Sequence, residues 1–378
     1  MKTLENFTAI ENQFSESAKI EQSLWPIIEQ NSSIIKLNCN ESPFDIPQAL
    51  KQEITNKMVE LSWNRYPDFQ QTELTTLLAN SVNLKSDNIL LGNGSSQLIQ
   101  QIVNAVSKFV SEAVIESPTF MLYHQICKNE RLSFREWQLN DNGAFDLNNF
   151  PTIVEPALVI ITSPNNPTGA TFSNTDLKNL LNLHPNCIFV IDEAYGEFAN
   201  ESAAELVSEY ANLLVLRTFS KGFGLPSARF GYMIGNKELV DLIRKHTIPF
   251  TINIFTELLV RESLTNPVLM KIIKTHQERI KNLRDFTHYL LSEIADETRF
   301  SVLPSASNFL LLRFYQPELL EQIKQILATR NILVSYPLSN CLRLTIGTEV
   351  EMSKIVRLIK QNVEAFRSKQ AEIIEQTR

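Results

Sequence analysis

Two hydroxyls, of Thr218 and Ser220, and two cations, Lys221 and Arg229, are among the polar groups in one short run of this chain. In LRTFSKGFGLPSARFGY, Leu216 to Tyr232, an apolar stretch leads into Thr218, Ser220 and Lys221, with Arg229 eight residues beyond the lysine. A guanidinium fork suits phosphate, and hydroxyls add further donors. A lysine beside other cations loses its proton more readily and becomes a nucleophilic amine, the chemistry of a Schiff-base lysine. The alternative at this point is a solvated basic loop.

Three other segments carry comparable groups. CIFVIDEAYGEF, Cys187 to Phe198, places Asp192, Glu193 and Tyr195 after five apolar residues. A carboxylate ending a buried strand needs a cation to offset its desolvation, and the protonated nitrogen of a pyridine ring is one; a helix cap on Asp192 is the other reading. SPNNPTG, Ser163 to Gly169, offers side-chain amides in a run of turn formers, and by itself reads equally as a turn. GNGSS, Gly92 to Ser96, precedes a helical pattern and could point free backbone N–H groups at a phosphate, or be a plain capped turn. Together the four supply a phosphate cradle, an acid for a ring nitrogen, an amide and a phenol for a ring hydroxyl, and an amine for an aldehyde. Pyridoxal 5′-phosphate (PLP) uses all of them.

These groups need a scaffold that brings them to one edge. Apolar runs of strand length recur at Ile89 to Leu91, Val114 to Glu116, Leu158 to Thr162, Ile188 to Ile191, Leu213 to Leu216 and Tyr232 to Ile234. Between two of them, Leu98, Ile99, Ile102, Val103, Val106, Phe109 and Val110 form one helical stripe. Alternating strands and helices predict an α/β fold with a mostly parallel sheet, whose ligands bind beyond the carboxyl ends of the strands. A long helical pattern from about Glu257 to Leu291, followed by strand-like Asn308 to Phe314 and Leu342 to Thr345, predicts a smaller α+β domain. We therefore expect a large domain over 51–256, with 1–50 and 257–378 forming the second.

Length and composition bound the remaining classes. At 378 residues, 43% hydrophobic and 20% charged, the chain is expected to fold as two domains with little disorder. A net charge of −7 with no basic stripe argues against nucleic acid as a partner. Cys39, Cys127, Cys187 and Cys341 lie far apart with no CxxC pair, and His124, His184, His246, His276 and His288 are dispersed, so no metal site is expected. The opening MKTLENFTAIENQF has no apolar signal core and no run is long enough to span a membrane, so the expected location is the cytoplasm.

In these motifs the sequence resembles the class I/II, fold-type I PLP-dependent aminotransferases, and most closely their histidinol-phosphate aminotransferase branch. The resemblance extends over KLNCNESP (Lys36 to Pro43), NRYPDF (Asn64 to Phe69), SPTFMLY (Ser117 to Tyr123), PSASNFLLLRF (Pro304 to Phe314) and CLRLTIGT (Cys341 to Thr348), besides the four segments above. It implies a cofactor carried on Lys221, with Asp192 at the ring nitrogen, Asn166 and Tyr195 at the ring hydroxyl, and Phe120 stacked on the ring. It implies a phosphate held by Ser95, Ser96, Thr218, Ser220 and Arg229, and by Tyr66 of a second subunit, hence a homodimer. Arg343 would grip the donor's acidic group, with Asn40 also lining the substrate side. The implied reaction is ping-pong transfer of an amino group to a 2-oxo acid such as 2-oxoglutarate. The chain departs from the branch at Ser335, where enzymes acting on histidinol phosphate usually carry a second arginine, and Pro26 is followed by Ile27 where the family has a PY pair. An aromatic or other carboxylate-bearing amino acid is therefore the alternative donor, and a threonine-phosphate-type PLP decarboxylase the alternative reaction.

Overall fold

The computed structural model describes residues 34–376, so the Pro26–Ile27 pair lies outside it. In chain order the first elements are β1 (Ile35–Leu37), α1 (Gln48–Val59), α2 (Thr72–Ser81), β2 (Ile89–Gly92), α3 (Ser95–Val106), β3 (Glu112–Ser117), α4 (Leu122–Asn129) and β4 (Phe134–Gln138). Then come β5 (Ala157–Thr162), α5 (Asn174–Leu183), β6 (Ile188–Asp192), β7 (Leu213–Thr218), β8 (Gly231–Gly235), α6 (Lys237–Arg244) and α7 (Ile254–Thr265). The chain ends in α8 (Pro267–Ser292), β9 (Phe300–Val302), β10 (Phe309–Phe314), α9 (Pro317–Thr329), β11 (Ile332–Val334), β12 (Cys341–Thr345) and α10 (Glu349–Gln376).

Strands flanked by helices on both faces must be apolar throughout. In β5 every residue is buried, and in β6 all but the first. They lie in a seven-stranded sheet of order β2-β8-β7-β6-β5-β3-β4. β8 runs antiparallel to both its neighbours and the other pairs are parallel, so β2, β3, β5, β6 and β7 all end at the same edge. One apolar core fills each face of this sheet. β4 was not expected: in FREWQ only Trp137 is buried, and such an edge strand shows too few apolar residues to announce itself.

Two helical expectations are corrected. The stripe through Phe109 and Val110 outruns its helix, because α3 stops at Val106 and Phe109 stands exposed. The pattern from Glu257 to Leu291 is two helices: Asn266 accepts from the N–H groups of Val268 and Leu269, and Pro267 takes the first position of α8, where its missing N–H costs nothing.

The second core surrounds an antiparallel sheet, β12-β10-β9, packed with α8, α9 and α10. β1 pairs in parallel with β11, setting Leu37 opposite Val334, so the first described residues join this part of the molecule. Tyr195 and Phe198, just past β6, also belong to this core, and Tyr195 meets Phe309 edge to face at 5.2 Å. The junction places β12 beside the edge where the large sheet ends.

Candidate active site

Lys221 follows β7 and is half-buried. Nζ donates to the Cys39 carbonyl at 2.8 Å. Its pKa is pulled down to about 8, first by burial, then by the nearby Arg343 guanidinium, with a smaller contribution from Arg229. Sequence reasoning attributed the shift to neighbouring cations alone, whereas desolvation is the larger cause.

Asp192 is the last residue of β6 and only 3% exposed. Its Oδ1 accepts from the Ala194 N–H at 2.9 Å, a local turn rather than the helix cap that was the other reading, and its Oδ2 accepts from the Tyr123 hydroxyl at 2.8 Å. Burial still pushes its pKa up to about 6, an ionisation short of a cation. Next to it, Glu193 forms a buried pair with Arg217 at 2.9 Å and accepts from Ser202 and from the Ala203 N–H, which is a structural task.

On the opposite side Arg343 projects from β12. Its Nη1 donates to Asn166 Oδ1 at 2.5 Å and its Nη2 to the Asn38 carbonyl at 2.7 Å. Its buried Nε has no partner, a donor in hand for a ligand. Asn40, with φ +53°, donates from Nδ2 to the Tyr195 hydroxyl oxygen at 2.8 Å and accepts from Thr345 and Asn308. That bond occupies a lone pair of Tyr195 and leaves its proton free to be given elsewhere. Cys39, Asn38, Asn308 and Thr345 were missed because backbone carbonyls and second partners carry no sequence signal of their own.

The phosphate candidates meet at the first turn of α3. Its N-cap is Gly94 at φ +77°, with no side-chain cap, so its first N–H groups are open to an anion. Arg229, itself left-handed at φ +48°, brings its guanidinium against Gly94: a Cβ there would stand 2.8 Å from Nη2. Ser220 Oγ lies 3.5 Å from Arg229 Nη1 and 3.1 Å from Thr218 Oγ1. Thr218 also reaches the Phe230 carbonyl and the Ser220 N–H, so it stands behind Ser220 as a support. Phe120 sits partly buried, edge to face with Tyr123 at 6.0 Å. Tyr66 is not brought in: it is 80% exposed and stacks on Phe250 at 4.5 Å.

At the opposite edge of the sheet, Glu155, His184 and Cys187 place donor atoms within 4.8 Å of one another, a grouping the sequence spacing did not suggest. Glu155 and His184 are already hydrogen-bonded at 2.9 Å, far from the lysine loop. Among the described residues no helix is long and apolar enough to cross a membrane.

An amine, a cation-seeking carboxylate and an anion cradle at the end of a parallel sheet define a cofactor-dependent enzyme, and comparison with known proteins agrees. Residues 32–359 match the family described as aminotransferase class I and II. The histidinol-phosphate aminotransferase of Pyrococcus furiosus is 32% identical over 339 residues, covering 88% of this chain and 94% of that one. The histidinol-phosphate aminotransferase structure from Clostridium acetobutylicum superimposes with TM-score 0.76 at 25% identity, covering 88% of this chain and all of the other. The Sinorhizobium meliloti enzyme in complex with pyridoxal-5′-phosphate gives TM-score 0.74 at 21% identity over 88% of this chain and 91% of that one, a likeness of fold.

The chain belongs to the class I and II aminotransferases, in the branch of the histidinol-phosphate aminotransferases. Its cofactor is pyridoxal 5′-phosphate, and the residues present fit it: an uncapped helix start beside an arginine, a buried carboxylate lacking a cation, and a half-buried lysine of lowered pKa.

Proposed function

We propose that the chain transfers the amino group of an anionic donor to a 2-oxo acid, with 2-oxoglutarate as the acceptor. The observation that carries this reading is the placing of the Lys221 amine, which donates to the Cys39 carbonyl at 2.8 Å within the field of Arg343. PLP supplies an aldehyde carbon that accepts the amino group and a ring that withdraws electrons from the donor's α-carbon. Lys221 Nζ would hold that carbon at rest and, once the donor's own amine displaces it, would take and return the proton at the donor's α-carbon. Asp192 would pair with the ring nitrogen and keep it protonated. Tyr195, oriented by Asn40, and Asn166 donate to the ring hydroxyl, while Phe120 covers one ring face. Ser95, Ser96, Ser220 and Arg229 hold the phosphate, with Thr218 behind them. Arg343 grips the donor's acidic group through the Nε left unpartnered, and Asn40 lines that side.

The same proposal includes two domains, 51–256 against 1–50 with 257–378, supported by the separate cores of the two sheets. It also includes a homodimer. Trp63, Tyr66 and Phe69 are each more than 60% exposed and gather around Phe250 and Phe255, an apolar surface of the kind a second copy covers. Tyr66 would then reach the partner's phosphate.

Histidinol phosphate, the substrate named for the relatives, is one donor; a carboxylate-bearing amino acid is the other, and one observation favours it. Ser335 pairs its backbone with Arg343, so the position beside the gripping arginine carries no cation. A missing charge-assisted contact to phosphate weakens binding by about 1.5 to 3 kcal/mol. The test is to mix PLP-loaded protein with histidinol phosphate and with a panel of amino acids, following visible absorbance. Loss of the band with a donor and its return with 2-oxoglutarate supports transamination and names the donor. Release of CO2 with no such cycle overturns it.

A further inference from the structure

Beneath the proposed ring site lies a carboxyl that none of the roles above uses. Glu116, on β3, is 0% exposed. Three donors converge on its Oε1: Thr119 Oγ1 at 2.5 Å, the Thr162 N–H at 3.0 Å and Asn165 Nδ2 at 3.4 Å. Its Oε2 is buried with no partner. Leaving a polar atom so placed costs folding energy that an apolar side chain of similar size would not incur, so packing alone gives no account of it.

Two of the donors come from the loops that frame the ring, and the third from the end of β5. Thr119 precedes Phe120, and Asn165, which also donates to the Pro118 carbonyl at 3.1 Å, precedes Asn166. From Thr162 the bonds run both ways, its N–H to Glu116 and its hydroxyl towards Asp192. Thr162 Oγ1 donates to the Tyr123 hydroxyl at 3.0 Å, and Tyr123, with one proton to give, donates to Asp192 Oδ2 at 2.8 Å. One carboxyl is thereby tied to both loops and to the acid at the end of β6.

We propose that Glu116 is a positioning residue, whose carboxyl clamps the Phe120 loop to the Asn166 loop and, through Thr162 and Tyr123, to Asp192, so that all three ring contacts keep one geometry. The inference rests on the roles proposed for those three residues. It separates ring geometry from fold stability: a variant without the acceptor folds at least as well and holds the ring less uniquely.

The experiment compares wild type with Glu116→Leu, Glu116→Gln and Thr119→Val. The readouts are thermal midpoint, affinity of the cofactor-free protein for PLP, and the visible circular dichroism of bound PLP, which reports the asymmetry around the ring. Glu116→Leu is expected to keep or raise the thermal midpoint, to lose at least about half of the dichroism, and to bind PLP about tenfold more weakly, the scale of one or two lost hydrogen bonds. Glu116→Gln keeps an acceptor for Thr119 and Thr162 and should stay within about twofold of wild type, while Thr119→Val, losing one leg, falls between. A folded Glu116→Leu with wild-type dichroism and affinity overturns the proposal, as does a Gln variant no better than Leu. Should the Leu variant not fold, wild-type values for Thr119→Val overturn it. If wild type itself binds no PLP, the underlying site reading fails, and that result is distinct from both.

Discussion

The lowered pKa of Lys221 makes the cofactor-free protein an unusually reactive amine at neutral pH. An ordinary lysine at 10.5 has a very small free fraction at pH 7; at about 8 that fraction is larger by roughly 300-fold, since each pKa unit is a factor of ten. Capture of PLP should therefore rise with pH and level off with a midpoint near 8, read from the initial rate of absorbance change, with Lys221→Ala as the blank for surface lysines. Because burial is the larger cause and Arg343 the next, Arg343→Met should move the midpoint upward yet leave it short of 10.5. The linkage has a definite sign. A lysine whose folded pKa is depressed binds fewer protons folded than unfolded between 8 and 10.5, so its burial costs the fold about 3 kcal/mol at neutral pH, recovered as pH rises through that window. A midpoint at or above 10, or a blank that captures PLP as fast as wild type, would refute the placement of this amine.

Asp192→Asn keeps shape and loses the charge opposite the ring nitrogen; kcat is expected to drop about 100- to 1,000-fold, measured with saturating PLP. Arg229→Ala removes the cation at the α3 cradle and should weaken PLP binding by about 1.5 to 3 kcal/mol in equilibrium titration, with little change in thermal midpoint once the cofactor is removed. Glu116, pushed up to about 7 by burial, binds more protons folded than unfolded between 4.5 and 7, so its neutral form favours the fold at low pH and its ionisation opposes the fold as pH rises. Denaturant unfolding of Glu116→Gln against wild type should then show a relative gain of about 3 kcal/mol between pH 4.5 and 8. Glu193→Ala leaves the half-buried Arg217 without its hydrogen-bonded carboxylate and should cost about 3 kcal/mol in the same assay.

The strands carrying the site could be read from sequence because parallel strands buried on both faces need unbroken apolar runs, and the residue after each run is then at the ligand edge. That logic placed Asp192, Lys221, Asn166 and the start of α3 at one edge before any coordinates. It failed at β4, where only Trp137 faces the core, and at Asn266, where one capping side chain divides a continuous helical pattern. The pairing of β1 with β11, the reach of Arg343 to Asn166 and the Asn40–Tyr195 bond join residues more than 150 positions apart, and local pattern carries no information about such partners. Nor could sequence single out Glu116. An acid in a strand is ordinarily a solvent-facing residue, and only the packing of two loops above it turns that carboxyl into a buried junction. The types and order of the reactive residues were thus set by the chain, while their ionisation and mutual orientation came from the desolvation that only the assembled core imposes.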